Sequence, residues 1–182
     1  MAPSTAKNVL AVGCTQNALQ SWDEIGQGDF TMKFAGLELF VVRGHFSPTA
    51  DLIETGLVNA QPEDGCSDFT NTAQIKERIV LIERGTCFFT IKTSRAQAAG
   101  ALAVIIVNNV EGDAIVMGAE DDIKIAIPAY MVSRADGASL RAKMKQSPTS
   151  VASFPHPAHD PRRHKSKDNL SDFSSRGPTQ DF

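Results

Sequence analysis

The sequence predicts an α+β fold with a substantial β core, and three observations support this prediction. Ile79–Ile82 is an apolar run with the length of a buried strand. Phe88–Ala99 is rich in alanine and long side chains, which is typical of a helix, and Gly100 can cap its end. Ala101–Val107 is a second buried strand, so we expect a right-handed parallel crossover. This order favours packed layers of sheet and helix.

Strands also dominate the first third of the chain. Val9–Val12 is an apolar run of strand length. In Phe30–Val42 apolar residues alternate on both sides of Ala35 and Gly36, which predicts two strands joined by a tight turn. Phe46–Gly65 carries turn residues and scattered aliphatics, so we expect irregular structure or short strands there.

One more strand and one more helix follow the central unit. Apolar residues alternate along Ile123–Met131 and predict a strand, with Pro128 marking an edge or a bulge. Ser133 and Asp136 have the spacing of a capping box, so a helix should begin there and end by Pro148.

The composition changes after this helix. Ser147–Asn169 contains four prolines and three histidines but few aliphatic residues. Such a segment cannot bury enough apolar surface to fold alone, so we interpret it as an exposed, disordered linker.

Charge and hydropathy exclude two classes of partner. The 182 residues carry a formal net charge of -3, with no basic run strong enough to indicate nucleic-acid binding. No apolar run approaches the roughly 20 residues of a membrane span. The first residues lack the pattern of a signal peptide.

The three cysteines leave two possibilities open. Cys66 and Cys87 could close a loop of about twenty residues, which would stabilise the fold by roughly 3 kcal/mol. They could equally be two reduced thiols, and spacing alone does not decide. Cys14 is then a small thiol at a strand end.

Catalytic chemistry has little support in this chain. Ser174 and Ser175 lack the motifs that place a nucleophile beside its base, so we read them as part of a strand leading to a turn. We expect Arg84 and Lys92 to satisfy local carboxylates and carbonyls, and His45 to be a turn or surface residue. We therefore expect no catalytic residue and no cofactor.

Two clusters could hold a metal ion, and we expect neither to do so. The histidine-rich segment does not have the spacing of a tetrahedral site and is better explained as a solvated tether, as are the basic residues beside it. The acidic loop lacks the calcium-binding EF-hand pattern and is better explained as an acidic surface loop. The residues weighed are His156, His159, Asp160 and His164, then Arg162, Arg163, Lys165 and Lys167, and finally Glu111, Asp113, Glu120, Asp121 and Asp122.

An ordered set of residues in the middle of the chain resembles a known family. The set consists of Arg78–Phe89, Lys92, Ala96-Gln97, Ala99–Ala101, Val104–Asn109, Ile127–Ala129 and Gly137. It is similar to the protease-associated (PA) domain. The resemblance implies a β-rich α+β fold, an open β-barrel or sandwich with flanking helices. It also implies a Cys66–Cys87 disulfide, and hence an oxidising compartment.

The two ends of the chain carry a second resemblance. AKNVLAVG at Ala6–Gly13 and FSSRGPT at Phe173–Thr179 resemble the subtilisin-like protease segments between which such PA domains are inserted. In that family the catalytic aspartate and histidine precede the first segment, and the nucleophilic serine follows the second. None of those motifs is in this chain, so we expect it to be an internal fragment that is inactive alone.

Together the resemblances imply a domain plan and a function. Residues 1–14 and 170–182 would be subtilase segments, 15–29 a connector, 30–146 the PA domain and 147–169 the linker. Trp22 in the connector could seal the insert against the protease body or cover a small satellite cluster.

The implied parent is a secreted or cell-surface serine endopeptidase. In it this region would control substrate access or recognition. The expected partners are the rest of the catalytic domain and a peptide substrate, protein substrate or propeptide. The alternatives are a free-standing PA-type binding or sorting module and, with less support, another PA-bearing enzyme such as a zinc peptidase.

Overall fold

The structure is a computed structural model that describes residues 15–16, 30–119, 122–157 and 169–170. The chain divides into two units, Met1–Gly28 with Asp160–Phe182, and Asp29–His159. The predicted strand Val9–Val12 and both protease-like segments lie outside the described residues. The described elements are β1 (Thr15–Gln16), β2 (Phe30–Phe34), β3 (Leu37–Arg43), β4 (Ile53–Asn59), α1 (Thr72–Ile75), β5 (Ile79–Glu83), α2 (Phe89–Ala98), β6 (Ala103–Val107), β7 (Ala129–Val132), α3 (Arg134–Gln146), β8 (Val151–Pro157) and β9 (Asn169–Leu170).

Seven strands of the second unit form a closed barrel in the order β2-β3-β7-β6-β5-β4-β8. Strands β4, β5, β6 and β7 run parallel to one another, and the remaining pairs are antiparallel. In the first unit, β1 pairs with β9 antiparallel, Thr15 opposite Leu170. The prediction of a β-rich α+β fold is confirmed, but the barrel is closed where the resemblance implied an open one.

The central strands are apolar throughout because both of their faces are buried. Along β6, Ala103, Ile105 and Val107 belong to the cluster that fills the barrel. Val104 and Ile106 face outward into a second cluster, which also contains Ala96 of α2. Continuous apolar runs of this kind are typical of parallel strands covered on both sides.

The predicted strand–helix–strand unit is present, with β5 and β6 parallel and α2 between them. Gly100 ends the helix with a φ of 81° and its N–H donates to the carbonyl of Gln97 at 2.9 Å. This backbone region suits glycine because it has no Cβ. The predicted turn at Ala35 and Gly36 is also present between β2 and β3.

Helix α3 packs against the barrel interior at the end where the parallel strands finish. Leu140 belongs to the interior cluster, and Met144 packs against it. Gly137 allows the close approach, since a Cβ there would lie 2.2 Å from Cγ1 of Val107.

Polar contacts fix the start and the middle of α3. The hydroxyl of Ser133 accepts a hydrogen bond from the N–H of Asp136 at 3.1 Å, which confirms the predicted cap. One turn after Gly137, Nη1 of Arg141 lies 2.5 Å from Oε1 of Glu83, so an ion pair joins α3 to the end of β5.

Aromatic packing fills the opposite end of the barrel. The ring of Tyr130 meets that of Phe154 edge to face at 5.1 Å between centroids, and that of Phe30 at 5.8 Å. The Tyr130 side chain is 1% exposed. Burial raises its pKa to about 12, and the charge of Arg43 opposes the shift.

Two sequence predictions were wrong in this unit. Residues 151–157 form strand β8 of the barrel, although Ser147–Asn169 was interpreted as a disordered linker. Ala152 and Phe154 are buried in the interior, and partners on both sides supply the pairing that the segment lacks alone.

The second error is the length of the strand predicted at Ile123–Met131. The structure keeps only Ala129–Val132 as a strand. Before it, the N–H of Ala126 donates to the side chain of Gln97 at 2.6 Å instead of to a neighbouring strand. Pro128 has no N–H for a sheet ladder.

The Phe46–Gly65 region, for which irregular structure or short strands were expected, contains the seven-residue strand β4.

Candidate interaction surface

The loops that follow β4, β5 and β6 lie at one edge of the barrel. These strands are parallel neighbours, so their carboxyl ends meet there. We call residues 60–71, 84–88 and 108–119 the rim. Such edges are where open parallel sheets place their binding groups, because loops there are held by a rigid scaffold.

The first rim loop is closed by the side chain of Asn71. Its Nδ2 donates to the carbonyl of Asn59 at 2.8 Å, and its Oδ1 accepts from the N–H of Gln61 at 3.1 Å. The loop is also tied to β5, since the N–H of Glu83 donates to the carbonyl of Glu63 at 2.7 Å. A single buried amide therefore fixes where this loop leaves the barrel and where it returns.

A disulfide joins the first and second rim loops. Cys66 and Cys87 are bonded with Sγ atoms 2.04 Å apart and Cα atoms 5.8 Å apart. This is the pairing that the PA resemblance implies, and it selects between the two possibilities that spacing left open.

A buried lysine lies beneath the disulfide. Lys92, in the first turn of α2, is 0% exposed. Its Nζ donates to the carbonyl of Asp64 and lies 3.2 Å from Sγ of Cys66. Burial lowers the pKa of Lys92, while the carboxylates of Asp64 and Glu83 oppose that shift. The lysine thus supports the loop by satisfying a carbonyl, as the sequence predicts.

A side-chain hydrogen bond connects the second and third rim loops. Nη1 of Arg84 donates to Oδ1 of Asn108 at 2.8 Å, and Nδ2 of Asn108 donates to the carbonyl of Asp113 at 3.1 Å. The guanidinium of Arg84 also lies 5.9 Å from the centre of the Phe89 ring. Arg84 therefore satisfies a side-chain carbonyl, as the sequence predicts, and also lies over an aromatic ring.

Apolar side chains on the rim are exposed to solvent. Phe88 is 48% exposed and Val110 is 57% exposed. They follow β5 and β6, and the Arg84–Asn108 hydrogen bond holds the starts of their two loops together. Aromatic and aliphatic anchors on a rigid support are typical of protein-binding surfaces.

Only part of the acidic loop is described by the structure. Glu111, Asp113 and Asp122 are described, while Glu120 and Asp121 are not. Within the described ranges, no three His, Cys, Asp or Glu side chains converge in a way that could hold a metal ion.

Other predicted candidates divide between the surface and the part of the chain that is not described. His45 is exposed in a turn, and its N–H donates to the carbonyl of Met117 at 2.9 Å. The side chain of His156 lies outside the described residues, as do Cys14, Trp22, His159, Asp160, Arg162, Arg163, His164, Lys165, Lys167, Ser174 and Ser175.

Sequence reasoning missed the two asparagines that organise the rim. Asn108 is 2% exposed and Asn71 is 8% exposed. In the sequence, Asn108 stood out only as a member of the set that resembles the PA domain. A polar residue directly after a fully apolar strand was the available signal, because the carboxyl end of a buried strand needs side chains that satisfy loop backbone groups.

No helix in the described part of the chain has both the length and the apolar character that crossing a bilayer requires.

Comparison with known proteins identifies one family over residues 49–140, the PA domain. Signal peptide peptidase-like 2 of Arabidopsis thaliana is 37% identical over 60% of this chain and 20% of its own length. Vacuolar-sorting receptor 7 of the same plant is 32% identical over 52% of this chain and 18% of its own length. Minor extracellular protease Vpr of Bacillus subtilis is 26% identical over 98% of this chain and 20% of its own length.

Solved structures share the fold. The structure of BSAP, a zinc aminopeptidase from Bacillus subtilis, superposes with a TM-score of 0.58 at 24% identity. The match covers 76% of this chain and 35% of that protein. The chain spans about a fifth of the curated relatives that it matches.

Proposed function

The chain belongs to the PA domain family, and we propose that it is the non-catalytic PA region of a secreted or cell-surface subtilisin-like serine endopeptidase. In that parent the barrel would control substrate access or protein recognition through its rim. Peptide-bond hydrolysis by a Ser-His-Asp triad would take place in the parent's other segments.

One observation carries this proposal. The family match covers residues 49–140, but the similarity to the extracellular protease extends over 98% of the chain. It therefore includes the flanks in which AKNVLAVG and FSSRGPT lie. The match to the sorting receptor covers 52% of the chain. Similarity in the flanks favours a protease host, because flanks outside a shared domain are specific to the protein that carries it.

The barrel's own topology is suited to insertion. The first barrel strand begins at Phe30 and the last ends at Pro157, and these residues are register partners in adjacent strands. The chain therefore enters and leaves the barrel side by side. Closely spaced ends are the condition under which a domain can be inserted into a host without distorting it.

The entry point also leaves the rim available. Phe30 lies at the end of the barrel where the parallel strands begin, and the rim lies where they finish. A surface opposite the chain connections can meet a partner without moving them.

The compartment follows from the same features. The disulfide and relatives that include a sorting receptor and an extracellular protease favour the secretory pathway or the extracellular space. Of these compartments, we propose that the parent protein functions outside the cell or on its surface.

A direct test compares this chain with the complete protein. A fluorophosphonate probe, which reacts with activated serines, should label the complete protein and not Met1–Phe182, and only the complete protein should cleave casein. Replacing the catalytic serine of the complete protein by alanine is the control for labelling. A complete protein that is neither labelled nor proteolytic would contradict the proposal.

The second candidate is a free-standing binding or sorting module, favoured by the similarity to a vacuolar-sorting receptor. It predicts a complete protein without a reactive serine whose rim still binds a protein partner. The labelling experiment separates the two functions.

A further inference from the structure

The Cys66 end of the disulfide lies in a polar environment. Sγ of Cys66 is 3.2 Å from Nζ of Lys92. It is also 3.4 Å from the carbonyl oxygen of Asp64 and 3.6 Å from that of Gly85. A sulfur atom in this position has an amine within hydrogen-bond distance if it becomes a thiolate.

The Cys87 end is different. Cys87 lies between Thr86 and Phe88, and both of these neighbours are exposed. Cys87 itself is half-buried on the rim, as Cys66 is, so the difference between the two sulfurs is the amine that lies beside Cys66. The two sulfurs of one bond therefore differ in what surrounds them.

Lys92 has an incomplete set of acceptors for a buried amine. The amine contacts one carbonyl oxygen, that of Asp64, and the weak acceptor Cys66 Sγ. The carboxylates of Asp64 and Glu83 act on it through space. A buried ammonium is stabilised by an adjacent anion, so a thiolate at Cys66 would add a negative charge within hydrogen-bond distance of Nζ.

From this geometry we infer that Cys87 is a thiol-exchange site at which a small thiol forms a mixed disulfide while Cys66 leaves as a thiolate beside Lys92. The incoming thiolate attacks Sγ of Cys87 and forms a new S–S bond. The Cys66–Cys87 bond breaks, and its electron pair leaves on Sγ of Cys66. The proton of the incoming thiol has already gone to solvent, so atoms and electrons balance without an oxidant. A lower leaving-group pKa makes such exchange faster.

The exchange would release one of the ties within the rim. The first loop would lose its covalent link to the second, while the Arg84–Asn108 hydrogen bond would remain. A redox-dependent change in partner binding rests on the proposed function of the rim. The regioselective exchange itself does not.

The experiment identifies which cysteine takes up the probe. The full chain is treated with reduced glutathione, quenched with acid and digested with trypsin. Cleavage at arginine and lysine places Cys66 in Gly44–Lys76 and Cys87 in Gly85–Lys92, so mass spectrometry distinguishes them. We expect glutathione on the Cys87 peptide in about tenfold excess over the Cys66 peptide.

The variant Lys92→Met tests the part played by the amine. Methionine keeps an unbranched side chain and removes the charge. We expect the exchange rate to fall roughly fivefold and the preference for Cys87 to decrease. Lys145→Met, an exposed position on α3, removes the same charge elsewhere and should change neither.

A second measurement isolates the electrostatic effect. In the fully reduced protein, iodoacetamide should alkylate Cys66 with a midpoint pH below about 8.5, the ordinary pKa of cysteine, and Lys92→Met should raise that midpoint. In the glutathione experiment, equal uptake by both cysteines, or preferred uptake by Cys66, would overturn the inference. An unchanged ratio and rate in a folded Lys92→Met would overturn it too. If that variant does not fold, the wild-type ratio alone decides.

Discussion

The two ends of the barrel are closed by different means. Where the parallel strands begin, Phe30, Tyr130 and Phe154 meet edge to face in an apolar seal. Where they finish, α3 packs against the interior, and the rim loops are held by one disulfide and by the side chains of Asn71 and Asn108.

This difference separates stability from recognition. Apolar packing is inseparable from the fold, because removing it leaves a cavity in the only interior that the barrel has. The disulfide and the polar contacts hold the rim in shape while Phe88 and Val110 remain exposed to solvent. Changes at the aromatic end should therefore lower the unfolding free energy most, whereas replacing a single side chain of the rim should act mainly on the loops.

Phe154→Ala should have the largest effect. It removes the ring that packs on Tyr130 and leaves a cavity in the interior, so we expect a loss of about 3–5 kcal/mol in unfolding free energy. Val151→Ala, an exposed position on the same strand, should change stability by less than about 0.5 kcal/mol. Urea denaturation measures both, and similar effects for the two variants would refute the distinction between the ends.

Breaking the disulfide should come next. Replacing Cys66 and Cys87 by alanine removes a cross-link over 21 residues, so we expect a loss of roughly 3 kcal/mol. The corresponding fall in melting temperature is about 6–12 °C. Thermal unfolding followed by circular dichroism tests this, and unchanged melting would count against a stabilising bridge.

Tyr130 reports on the aromatic end through its titration. It is the only tyrosine in the chain, so tyrosinate absorbance follows one group. Its pKa should be about 12 in the folded chain and near 10 in denaturant.

The sign of the linked pH effect follows from that difference. The pKa of Tyr130 is higher in the folded chain, so the neutral phenol stabilises the fold by about 2–3 kcal/mol. This contribution is complete below about pH 10 and is lost as the pH rises towards about 12. Denaturation midpoints across this range measure the loss. A folded-state midpoint near pH 10 would show that the ring is not sealed from water.

Asn108→Ala should have the smallest effect on global stability. It removes the acceptor of Arg84 and the donor to the Asp113 carbonyl, so we expect a loss of about 1–2 kcal/mol. Hydrogen exchange should accelerate at the Val110 amide, while amides of β5 and β6 remain protected. The exposed neighbour variant Asn109→Ala serves as the control, and equal acceleration in both would remove the role assigned to Asn108.

Local signals predicted the parts of the fold that depend on neighbouring residues. Strands β5 and β6 and helix α2 could be predicted because their apolar runs are buried on both faces and Gly100 marks the helix end. The Ser133 cap was predictable for the same reason, since its partner lies three residues away.

Strand β8 was missed because its stability is not local. Only Ala152 and Phe154 show the alternation of a strand that faces the interior. Pro155 and Pro157 follow directly, and prolines are unfavourable in a predicted strand. The backbone partners that make it a strand lie more than a hundred residues away in β2 and about a hundred residues away in β4. The opposite error occurred at Ile123–Ile127, where alternation without a neighbouring strand gave a loop.

The rim could be predicted only in part. The PA resemblance implied the Cys66–Cys87 pair, and the residue types of Arg84 and Lys92 indicated that they satisfy local polar groups. Which groups they satisfy depends on how three loops from different strands meet. The spacing of residues within one segment does not show which loops meet in space, so it could not predict these contacts.

The most direct measurement compares rim variants in the complete protein. Phe88→Ser with Val110→Ser removes two exposed apolar side chains of the rim, and Leu102→Ser removes one that is 42% exposed just before β6. We expect kcat/KM on casein to fall about tenfold in the rim variant, as for loss of an interface anchor, with cleavage of a short chromogenic peptide unchanged. Leu102→Ser should alter neither. Unchanged casein cleavage in the rim variant, or an equal loss on both substrates, would contradict a recognition role for the rim.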